Sequence, residues 1–148
     1  MAAVENSNPH GPLDPARLAA FEARIGAALP ADYRRFLLAH NGGQLVPREI
    51  VLPGEAEPFA SLGAAFGLYH GPDALDRVFD NVKDYIPAEV IAFAEDEGGN
   101  LLCIGIRGEH RGRVYFWDHE GAGWEDLTPL AGSFDAFVAA LGRPQPGV

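Results

Sequence analysis

Ile91-Ala92-Phe93-Ala94-Glu95-Asp96-Glu97-Gly98-Gly99-Asn100-Leu101-Leu102-Cys103-Ile104-Gly105-Ile106 runs into a charged segment from Arg107 to Arg113 and then into Val114-Tyr115-Phe116-Trp117-Asp118-His119-Glu120. Three short apolar runs alternate here with two polar turns. Each run is too short for a stable helix, and glycine and charge flank it, so the pattern predicts a three-stranded antiparallel meander. The middle run, Leu101 to Ile106, has no polar residue on either alternating face. A strand of that kind is buried on both sides and belongs in the middle of a sheet. Gly105 weakens it locally and marks either a bulge or the close approach of a packed element.

The chain's 148 residues suffice for one domain with one substantial core. An apolar fraction of 47% is ordinary for a globular protein. There is no apolar run long enough for a membrane-spanning helix. Met1 to Gly11 lacks the basic, apolar and cleavable pattern of a signal peptide, and the lone Cys103 falls inside the expected core strand. Such a cysteine acts as a small hydrophobe, and the expected compartment is the cytoplasm. The net charge of −10 argues against nucleic acid or an anionic membrane as the ligand and permits a basic protein partner.

In chain order, Met1–Gly11 is polar and is expected to fray. Asp14 and Pro15 form a helix start, with Leu18, Phe21 and Ile25 on one face and Gly26 closing. Leu29-Pro30 opens a second helix with Tyr33, Phe36, Leu37 and His40 on one face, and Asn41-Gly42-Gly43 stops it. Arg48–Leu52 is a candidate strand, and so is Ser61–Tyr69. Asp73 is expected to cap a third helix running to Tyr85, with Leu75, Val78, Phe79 and Val82 inward and Asp76, Asp80 and Asp84 on the other face. Trp124–Leu127 reads as a short last strand or an irregular return. Ser133 caps a final helix through Phe134, Phe137, Val138 and Leu141, closed by Gly142 and Pro144. The domain therefore spans residues 12–142, with tails at 1–11 and 143–148.

The search for chemistry returns little. Gly98-Gly99 lies between strands and lacks both phosphate-binding fingerprints. A His40–Cys103 pair would need the fold to join them, and a core-strand thiol is a poor nucleophile. No HExxH or CxxC spacing exists, and Glu95-Asp96-Glu97 lacks calcium-loop spacing, so no metal or cofactor is expected. Asp118-His119-Glu120 reads as an Asp-led turn. An enzyme would need a pocket where histidine and carboxylate side chains converge.

Three blocks together resemble the SMI1/KNR4 family (SUKH superfamily). They are Leu29-Pro30 through Tyr33, Phe36 and Leu37 to Asn41-Gly42-Gly43; Ile91–Asp96 with Gly98-Gly99-Asn100; and Gly112–Glu120. The closing Ser133–Phe137 helix matches as well. The resemblance implies an α+β domain, with helices packed on a mainly antiparallel sheet, and no catalytic residue or cofactor. It also implies a bacterial immunity protein that neutralises a toxin by stoichiometric binding. A regulatory interaction scaffold of the same fold, without a toxin, is the alternative. The acidic charge makes a basic toxin domain, such as a nuclease, the expected partner. The candidate contacts are Glu95, Asp96, Glu97, Asp118 and Glu120 near the sheet end. Asp76, Asp80 and Asp84 form a second patch, and Trp117 and Trp124 are possible apolar anchors.

Overall fold

The computed structural model describes residues 3–121 and 123–143. In chain order the elements are β1 (Ala3–Glu5), α1 (Pro15–Ile25), α2 (Ala31–His40), β2 (Gln44–Val46), β3 (Glu49–Ile50), β4 (Ala60–Ala65), α3 (Leu75–Val82), β5 (Val90–Asp96), β6 (Leu101–Gly105), β7 (Val114–Trp117), β8 (Leu127–Ala131) and α4 (Phe134–Ala140). Strands β3 to β8 form one six-stranded antiparallel meander in chain order, and β1 and β2 form a separate antiparallel pair. The fold is α+β.

The predicted central strand is where the pattern puts it. Every residue of β6 is buried, between β5 and β7, with Leu102 facing Phe116 and Cys103 facing Tyr115 across the ladder. Gly105 marks a close approach: a Cβ there would overlap the backbone carbonyl of His110. The short turn Gly108–His110 packs directly on the strand end.

The helices form for the reasons their ends suggest. Asp14 accepts the Ala16 N–H at 2.9 Å, and Pro15 occupies the first turn of α1. Leu18, Phe21 and Ile25 of that helix are buried. Helix α4 is capped by Ser133, whose hydroxyl accepts the Ala136 N–H at 3.0 Å. Its Phe134 and Phe137 meet Phe93 of β5 edge-on at ring separations of 5.6 and 5.8 Å, and Tyr33 of α2 joins them at 5.6 Å from Phe93. That aromatic cluster fastens α2 and α4 to the sheet.

Four expectations need correction. The described part of the N-terminal segment is tied down: Ala3–Glu5 pair with Gln44–Val46, and Asn8 donates its N–H to the His40 carbonyl at 2.6 Å. Backbone hydrogen bonds hold this polar stretch, and an apolar pattern does not report them. Helix α3 is shorter than expected and begins at Leu75 after Ala74, so Asp73 does not cap it. The strand expected over Arg48–Leu52 is cut to two residues, and the one expected over Ser61–Tyr69 ends at Ala65. Trp124–Asp126 is a 3-10 turn, the irregular return that was one of the two readings, and the last strand follows it from Leu127. Pro129 is tolerated there because β8 is an edge strand. Pro144 and the rest of the expected C-terminal tail beyond Arg143 lie outside the described residues.

Candidate functional site

The N-terminal segment, Gly43 and Gln44 just after α2, and the end of β4 with the loop after it line a half-open cavity of about 390 Å3. Its foundation is Asn41, which is 1% exposed and sits in the left-handed conformation that ends α2. The Asn41 amide donates to the carbonyls of Gly11 at 3.1 Å and Leu68 at 3.0 Å, and its Oδ1 accepts the Leu68 N–H at 2.8 Å. One side chain thus joins the N-terminal segment, the helix end and the loop after β4. Gly43 follows with φ +92°, and a Cβ there would press at 3.0 Å on the Glu5 carbonyl. Its own carbonyl accepts the Ala65 N–H at 2.9 Å, tying the site to β4. The glycine is needed both for the positive φ and for that close approach.

Ser7 and Asn8 seat the outer wall on α2. The Ser7 hydroxyl lies 2.8 Å from His40 Nδ1, and the Asn8 amide donates to the Ala39 carbonyl at 3.2 Å. His40 is therefore an anchor for the N-terminal segment. Beyond it, His10 stacks on Tyr69 at 3.6 Å with the rings 9° from parallel, and both line the cavity.

Three carboxylates, Glu5, Asp73 and Glu95, line the same cavity, and Arg48 stands among the lining residues 3.8 Å from the Glu97 carboxylate. Glu95 is exposed at the recess, yet partial desolvation there pushes its carboxyl above the usual carboxylate range, and the negative charges of Asp73 and then Asp96 push it further. The lining contains no serine, threonine or cysteine. Among the described residues, no group of three or more His, Cys, Asp or Glu side chains is arranged to hold a metal ion.

The remaining expected contacts separate into three environments. Asp96 is buried and turned into its own loop, accepting from the backbone of Gly98 at 2.9 Å, the backbone of Asn100 at 2.7 Å and the Asn100 amide at 3.0 Å. It is a turn cap, not the surface contact expected. Glu97, Asp118 and Glu120 are exposed at one end of the sheet, because Asn100 Oδ1 accepts the His119 N–H at 3.2 Å and stitches the two turns together. The Asp118 carboxylate accepts the Glu120 N–H at 2.9 Å, as an Asp-led turn requires. On α3, Asp76 pairs with Arg17 at 3.2 Å, and Asp80 pairs with Arg24 and Lys83, so these two acids fasten α3 to α1. Only Asp84 of that series is exposed without such a partner among the described residues.

Trp117 is buried in β7, whereas Trp124 is 37% exposed and stacks on His110 at 4.1 Å. Cys103 is fully buried, and burial pushes its thiol pKa up, which makes it unreactive. Of the residues lining this cavity, Glu95 is among the expected contacts, whereas Glu5, His10, Tyr69 and Asp73 are not. The one signal that pointed to them was Asn41-Gly42-Gly43, whose backbone needs bring their segments together.

No helix among the described residues is long and apolar enough to cross a membrane. A protein of Bacillus subtilis (strain 168), described as the SPbeta prophage-derived uncharacterized protein YokK, is 30% identical over 142 residues, covering 84% of this chain and 72% of that one. Residues 12–140 match the profile of the SMI1 / KNR4 family (SUKH-1), and they contain the α2 end, the meander and α4 in the order described above. The chain belongs to the SMI1/KNR4 family (SUKH-1).

Proposed function

We propose that this chain is an immunity-type binding protein that neutralises a cognate toxin by stoichiometric occlusion in the cytoplasm. It acts by binding, without turnover. The family match over residues 12–140 carries the reading. The net charge of −10, and the exposed Glu97, Asp118 and Glu120 at one sheet end, favour a basic toxin domain such as a nuclease as the partner. An acidic end of this kind accelerates encounter with a basic surface through the long-range field.

The test is to express the product of the adjacent gene in a sensitive host, with and without this protein. Rescue of growth, a one-to-one complex and a Kd in the nanomolar range or below, about 12 kcal/mol, are expected. In that complex, Glu97→Lys, Asp118→Lys and Glu120→Lys together should slow association about tenfold or more at low salt, converging with wild type as salt screens the field. Neither rescue nor binding would remove the immunity reading. Rescue with association insensitive to these reversals would remove acidic steering alone.

A further inference from the structure

We propose that Trp124 and Tyr85 form the apolar anchor of the surface that docks a basic partner protein. This rests on the reading of the chain as a binding protein and names the residues that hold the complex once charge has brought it together.

Among the described residues, four large apolar side chains are exposed: Leu38, Phe59, Tyr85 and Trp124. Leu38 lies among Ala31, Arg34, Arg35 and Ala39 on α2, and Phe59 packs edge-on against Phe116 at 4.8 Å. Tyr85 and Trp124 come from distant segments that the fold joins. The Gly123 N–H donates to the Tyr85 carbonyl at 3.1 Å, which sets the backbone of the Trp124 turn against Tyr85. The indole of Trp124 packs on His110 at 4.1 Å and meets Tyr115 edge-on at 5.6 Å, and the Tyr115 hydroxyl lies 3.0 Å from His110 Nδ1. These contacts hold the ring before a partner arrives, while Trp124 stays 37% and Tyr85 58% exposed. An aromatic side chain already held in place loses little freedom on binding, and tryptophan and tyrosine carry a large share of the energy at protein interfaces.

Position and charge name the occupant. The Asp118 N–H donates to the Asp126 carbonyl at 3.4 Å, so the Trp124 turn returns to the sheet end where Asp118 and Glu120 are exposed. Exposed acids occur elsewhere on this chain and make no site by themselves; the anchored rings distinguish this end. The neighbouring cations are engaged within the protein. Lys83 lies 3.9 Å from Asp80, Arg111 donates to the carbonyls of Ala28 and Leu29, and Arg113 bonds the Tyr115 side chain. Exposed rings could also stack on nucleic acid bases, but a chain of net charge −10 repels the phosphates that such binding needs. A basic protein surface satisfies both the rings and the field around them.

The test uses the full chain and the product of the adjacent gene, with association and dissociation rates measured separately. Trp124→Ala and Tyr85→Ala should each weaken binding about tenfold or more, mainly through faster dissociation. That loss should persist at high salt, in contrast to the effect of reversing Glu97, Asp118 and Glu120. Leu38→Ala, which removes an exposed apolar side chain from α2, should bind as wild type. Matched melting temperatures check that the variants fold; if Trp124→Ala is destabilised by losing its His110 contact, Tyr85→Ala, with the more exposed side chain, decides the outcome. A smaller loss in a folded variant, an equal loss in Leu38→Ala, or a loss that vanishes with salt would each overturn the proposal and leave the rescue experiment standing. Failure both to rescue and to bind would remove the immunity reading and this inference together.

Discussion

Replacing Asn41 with glycine isolates what one side chain contributes to the cavity. Glycine keeps the left-handed backbone without strain, so only the three side-chain hydrogen bonds are lost. The Leu68 N–H is left without an acceptor in a buried position, which costs about 1–3 kcal/mol, and the two donated bonds contribute about 0.5–1.5 kcal/mol each. The expected loss is therefore about 2–6 kcal/mol. At about 2.1 cal/mol/K per residue, unfolding a chain of 148 residues carries about 0.3 kcal/mol/K, so the melting temperature should fall by about 7–19 °C. Asn41→Ala should cost about 1–2 kcal/mol more, because its Cβ penalises the left-handed conformation. Calorimetry reads the melting points, and hydrogen exchange reads the Leu68 and Asn8 amides, which should lose protection together. If Asn41→Gly melts within about 2 °C of wild type, the bonds are not what hold the three segments, and the reasoning fails.

Two further perturbations test other parts of the structure. Gly105→Ala drives a methyl group into the His110 backbone, which cannot rotate away, so urea unfolding should show a loss of about 1–3 kcal/mol with an unchanged slope; an unchanged midpoint would show that the Gly108–His110 turn is free to move. Glu95→Gln probes pH. The folded state holds the Glu95 proton to a higher pH than the unfolded chain, so stability falls as pH rises from the ordinary value of 4.5 through the raised folded value and stays lower above it. The variant should melt above wild type at neutral pH, and the gap should close on acidification; a gap that widens toward acid pH would contradict the sign of the shift.

The meander was legible because burial on both faces leaves a mark in composition. Leu101 to Ile106 contains nothing that tolerates water on either side, and β6 is buried throughout. Helix ends were legible too, since Asp14, Asn41 and Ser133 act locally within a turn of their own position. The acidic residues were harder. Asp76 and Asp80 face arginines 59 and 56 positions away, and nothing in their spacing of four announces Arg17 or Arg24. Glu95 and Asp96 were read as one turn, yet β5 continues through both. Strand alternation sends Asp96 inward to its loop and leaves Glu95 exposed at the cavity.

The N-terminal wall escaped for a more general reason. An α-helix ends with four carbonyls that lack partners within it. In α2 the carbonyls of Ala39 and His40 are among these, and Asn8 meets both, one with its side-chain amide and the other with its backbone N–H. The carbonyl of Gly11, three residues on, is then within reach of Asn41. A segment with few apolar residues is thus ordered by the unmet hydrogen-bonding needs of a helix end. That demand has no period in the sequence, because any donor of the right reach can meet it. Once Asn8 is fixed, Glu5 lies opposite Gln44 and His10 reaches Tyr69, so the cavity's charge and its aromatic surface follow from the way α2 is terminated.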